Sequence, residues 1–106
     1  MPEPTRKDKI VAMLANDPED LFLRYGLAME LQKEGGHAES LALLDELMQQ
    51  EPPYVPAYFM AAQQLAQLSR IPEAQATART GIEVAVAQQD LHAAGEMREF
   101  LATLES

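Results

Sequence analysis

The 106-residue chain is 47% apolar and 24% charged, with a formal net charge of −9 and no cysteine. That size and make-up suit one folded domain rather than a disordered segment, and no apolar run is long enough to span a membrane. Missing cysteine excludes a disulfide scaffold and a thiolate zinc site, and the acidity speaks against nucleic acid, whose phosphates call for a basic patch.

The first ten residues, MPEPTRKDKI, lack the apolar core of a signal peptide, so the expected compartment is the cytoplasm. Thr5 followed by Asp8 reads as a capping box, and Ile10, Val11, Met13 and Leu14 then fall on one face of a short helix ending near Ala15. In NDPEDL, Asp17 is expected to cap a second helix starting at Pro18, with Glu19 and Asp20 at the positive end of its dipole. That helix carries Leu21, Tyr25, Ala28 and Leu31 along one stripe and stops at Gly35-Gly36, where glycine supplies a left-handed residue.

A third helix starts near His37, turns Leu41, Leu44, Leu47 and Met48 inward, and ends before Pro52-Pro53. A fourth starts near Pro56 with Tyr58, Ala61, Ala62, Leu65 and Leu68. The fifth begins with Pro72 in its first turn and runs to about Gln88. Asp90 can cap a sixth, with Leu91, Ala94, Met97, Leu101 and Leu104 at helical spacing. No stretch alternates with a period of two. The chain is therefore expected to be all-α, six helices joined by short turns into antiparallel hairpins.

MLANDPEDL (13–21) and LMQQEPPYV (47–55) match in character position by position, 34 residues apart. Ala28 and Ala62, Leu31 and Leu65, Tyr25 and Phe59, and Glu39 and Glu73 keep the same offset. A helix–turn–helix unit of that period resembles the tetratricopeptide repeat. Leu27, Ala28 and Leu31 stand in the family's first-helix slots, then Ser40, Leu44, Leu47 and Pro52. Tyr58, Ala61, Ala62, Leu65, Ala74, Ala78 and Gly81 follow in the second repeat. Arg24 departs from the pattern where an aromatic is usual, and Val86 where a proline is, so the last helix of the second repeat is expected to run on.

The resemblance implies a right-handed superhelical stack in a single domain. Residues 5–17 form a half-repeat helix, 18–54 and 55–88 two full repeats, and 89–106 a capping helix. It also implies a concave groove that binds a peptide or protein partner and catalyses nothing. Mapped onto this chain, the groove is lined by Phe22, Tyr25, Met29 and Lys33 from one hairpin and by Phe59, Gln63 and Gln67 from the next. Tyr25 and Phe59 fit a core role equally well. A lysine–asparagine clamp for paired carboxylates, found in one branch of the family, is missing, since Lys33 is the lone groove lysine and Asn16 lies in a turn.

The chemistry of catalysis and metal binding finds no support. His37 and His92 are 55 residues apart with no HExxH, no Gly-rich elbow surrounds Ser40 or Ser69, and no phosphate-loop pattern surrounds Gly35-Gly36. Neighbouring acids such as Glu19-Asp20 and Asp45-Glu46 point to different sides of a helix, poor geometry for paired acid–base work. The expectation is a cofactor-free interaction module with an apolar-anchored partner, outside nucleic acid and membrane. A self-associating module, dimeric through the same exposed apolar side chains, is the alternative.

Overall fold

The computed structural model describes residues 2–105; Ser106, the last residue assigned to the capping helix, lies outside them. Six helices appear and, among the described residues, no strand: α1 (Arg6–Asn16), α2 (Leu21–Lys33), α3 (His37–Met48), α4 (Val55–Gln67), α5 (Ile71–Ala87) and α6 (Leu91–Glu105). They group into two compact units, Met1–Leu47 and Met48–Ser106.

Local chemistry sets most of these boundaries. Thr5 and Asp8 form the capping box, each side chain accepting from the other's backbone N–H at 3.1 and 3.0 Å. Asp90 caps α6, its Oδ1 accepting from the Ala93 N–H at 3.1 Å. α2 and α4 end alike. Gly35 (φ 83°) and Ser69 (φ 62°) take the left-handed conformation, while the next N–H, of Gly36 or Arg70, reaches back to Leu31 or Leu65 at 2.8 and 2.9 Å. The 34-residue offset is thus kept in helix bounds and stop geometry together. α5 runs through Val86 to Ala87, five residues longer than α3, as the missing proline suggests.

The start of α2 differs from expectation. Asp17 closes α1, its N–H shared between the carbonyls of Met13 and Leu14, and its own carbonyl accepts from the Asp20 N–H across a tight turn holding Pro18. Asp20 is the cap, Oδ1 accepting from the Leu23 N–H at 2.9 Å, and Pro18 is outside the helix. Two acids three residues apart are both competent caps, and the turn uses the second.

In the first unit α1 lies on α2. Ile10 is buried at the contact, and Arg6–Glu30 and Lys7–Glu34 bridge the two helices at 3.4 and 3.0 Å. Val11 and Met13, expected on the inward face, are each 48% exposed; α1 buries a single residue, so its inward face is narrower than its apolar spacing suggests. The buried Ser40 ties α3 to α2 through a hydrogen bond to the Ala28 carbonyl.

In the second unit α4 packs on α5, and α6 lies against both. Its core holds Val55, Tyr58, Ala85, Ala94 and Met97, with Phe59, Ile82 and Met48 at the margin. Small residues let the helices approach: a Cβ on Gly81 would stand 2.6 Å from both the Tyr58 Cβ and the Met97 Sδ. Gln64 is fully buried, which its polarity does not announce. Leu91, expected inward, is 67% exposed, because as the first residue of α6 it stands where the helix begins rather than along its packed face.

Candidate partner-binding site

A cleft of about 330 Å³ opens in the first unit between the edges of α1 and α2. Arg6, Lys9, Ile10 and Met13 form one wall; Phe22, Leu23, Tyr25, Gly26 and Met29 form the other. The spacings explain why these residues meet. Positions 6, 9, 10 and 13 and positions 22, 25, 26 and 29 each follow i, i+3, i+4, i+7, one stripe along two helical turns. A Cβ on Gly26 would stand 3.4 Å from the Ile10 side chain, in ordinary contact with it.

The floor is apolar and the rim is cationic. Phe22 is 71% exposed, an unusual state for a phenyl ring that already stands at the mouth of an apolar cleft. On the rim, Arg6 pairs with Glu30, whose carboxylate also takes Lys33 at 3.2 Å. Among the described residues Lys9 has no ion-pair partner. Lys7 sits beside the cleft, its ammonium raised above the usual lysine range by its hydrogen bond to Glu34.

The seven residues mapped from the sequence divide. Phe22, Tyr25 and Met29 come together in this cleft. Lys33 is on α2 outside the lining, its side chain 63% exposed and turned to Glu30. Phe59, in the second unit, is half-buried against the core and meets the Phe100 ring edge-on, with centroids 5.7 Å apart. Gln63 and Gln67 are exposed on α4. Arg6, Lys9, Met13, Ile10, Leu23 and Gly26 line the cleft beside Phe22, Tyr25 and Met29 and were not mapped from the sequence. The first three were visible as a helical stripe, but only when polar residues are counted with apolar ones.

The cleft lining includes no carboxylate, histidine, serine or threonine. Among the described residues no three His, Asp or Glu side chains gather to hold a metal ion, and no buried polar side-chain atom lacks a partner. No helix of those residues is long and apolar enough to cross a membrane.

Neither a protein-family model nor a curated protein matches the chain. Solved structures do. A tetratricopeptide repeat domain protein from Salinibacter ruber, determined in solution, is similar at 34% identity and a TM-score of 0.78, over 83% of this chain and 89% of that one. A crystal structure of a tetratricopeptide repeat domain protein from Salinibacter ruber matches at 32% identity and a TM-score of 0.73, over 82% and 98%. A Bordetella parapertussis protein solved in solution shares the fold at 20% identity and a TM-score of 0.82, over 97% and 90%. Sequence likeness to the Salinibacter protein joins the 34-residue repetition of helix bounds and stops, and the chain belongs to the tetratricopeptide repeat family.

Proposed function

We propose that the chain is a non-catalytic protein-interaction module that takes an apolar segment of a partner protein in the cleft between α1 and α2. The observation that carries this reading is Phe22, a large apolar ring left 71% exposed at the mouth of an apolar cleft it lines with Tyr25 and Met29. Keeping such a ring in water is unfavourable by about 25 cal/mol per Å² of apolar surface, a gain available to a partner that covers it. A single cleft is small beside a standard protein interface, so the affinity is of micromolar order.

Selection from a random peptide display library against the chain tests this. Enriched peptides should carry aliphatic or aromatic anchors and bind Phe22→Ala about tenfold more weakly or worse. Peptides that bind Phe22→Ala, Tyr25→Ala and Met29→Ala as well as the unaltered chain would place binding elsewhere.

Self-association is the second reading. Val11 and Met13 of α1, each 48% exposed, favour it. Sedimentation over micromolar to millimolar concentration separates the two, since a dimer lost in Phe22→Ala supports self-association and a persistent monomer supports a foreign partner.

A further inference from the structure

The two units differ in one respect that bears on what enters the cleft. α2 and α4 occupy equivalent repeat positions, as do the starts of α3 and α5, so the helices alternate between two kinds. By that alternation α1 is of the kind of α5, and α6 is of the kind of α2. In the second unit the pair α5–α6 carries a third helix: α4 contacts both, with Phe59 on Phe100 and Tyr58 pressed on Gly81. In the first unit the corresponding pair, α1–α2, presents a cleft.

We propose that this cleft seats an amphipathic helix of a partner protein, as α4 is seated on α5 and α6, with a large apolar anchor on its buried face and carboxylates on its flank. The inference rests on the partner-binding reading above and names the partner's form and charge. Both cleft walls run along two helical turns, a bed of about 11 Å that takes two turns of an incoming helix. The charge follows from the rim: Lys9 has no ion-pair partner among the described residues, and the Arg6 side chain is 66% exposed although it touches Glu30. Carboxylates on the incoming helix complement both cations.

The probe is a 15-residue peptide copying Tyr54–Leu68 of this chain with Gln63→Glu and Gln67→Glu, added to the full chain and followed by backbone amide NMR and circular dichroism. The expected result is amide shifts at Ile10, Met13, Phe22, Gly26 and Met29 and a gain of helicity by the peptide. Ala61→Pro in the peptide should weaken binding at least tenfold, because proline breaks a helix interior. Lys9→Glu in the chain should weaken it on the order of fivefold with the melting temperature unchanged.

Equal binding of the Ala61→Pro peptide at the same amides would overturn the helical seat and leave the partner-binding reading standing. Shifts confined to α5 and α6, the mark of the peptide replacing α4, would overturn it too, as would no shift at all; the display selection then decides the broader reading alone. Shifts of the cleft amides with concentration of the chain by itself would make a second copy the occupant and overturn the foreign partner.

Discussion

Ser40 and Ala28 are joined in a fully buried contact, the serine Oγ donating to the alanine carbonyl at 2.7 Å. Thirty-four residues on, Ala62 and Ala74 occupy the same positions, equally buried and without a hydroxyl. The site therefore demands a small side chain first and tolerates a hydrogen bond second. Ser40→Ala should cost about 1 kcal/mol and Ser40→Val roughly 2–3 kcal/mol by overpacking, measured by urea denaturation. A loss in the alanine variant as large as in the valine variant would make the bond, and not the space, the governing factor.

Gly81 allows a stronger test of close packing. Alanine there gains helix propensity, about 1 kcal/mol, but its methyl group falls 2.6 Å from the Tyr58 Cβ, an atom fixed to the backbone of α4. Overpacking of that kind costs about 1–3 kcal/mol, so Gly81→Ala should lower the melting temperature. A rise would show that α4 and α5 separate freely.

The paired helix stops predict opposite outcomes for two exchanges. Gly35→Ala places a side chain at φ 83° and should destabilise by about 1 kcal/mol. Ser69→Gly relieves the same conformation at φ 62° and should stabilise by about 0.5 kcal/mol once the greater freedom of unfolded glycine is subtracted. Chemical denaturation of both variants checks the pair.

Two phenylalanines from the sequence-mapped groove should separate in the same experiment. Phe22→Ala leaves stability within about 0.5 kcal/mol, since the ring is largely exposed. Phe59→Ala should cost about 2–3 kcal/mol through lost packing on the α4–α6 core and on Phe100. Equal losses would mean that Phe22 is covered in solution.

Glu73 is held below the usual carboxylate range by its hydrogen bond to Arg70, reinforced by the guanidinium charge. A carboxylate depressed in the folded state stabilises above its unfolded pKa, and that contribution fades as pH falls through the folded pKa. An NMR titration should show Glu73 protonating below the usual glutamate range, and Arg70→Gln should raise its midpoint. The effect on stability is small because both groups are exposed.

How much of this was legible in the residues depends on how local each cause is. The six helices, the Thr5–Asp8 box, the Gly35 stop, the Asp90 cap and the 34-residue period all follow from chemistry within a turn or two of chain. The start of α2 was misplaced because Asp17 and Asp20 are equally good caps, and nothing local chooses between them. Burial was harder still. Val11 and Leu91 have the helical spacing of core residues yet stand in water, and Gln64 is fully buried, because exposure depends on which neighbouring part of the fold reaches a face. The sequence by itself determined the class, the period and the apolar character of Phe22, Tyr25 and Met29. Only tertiary structure joined those three to Arg6, Lys9 and Met13, since a cleft belongs to no single helix and exists where two helix edges, each regular in its own right, fail to close.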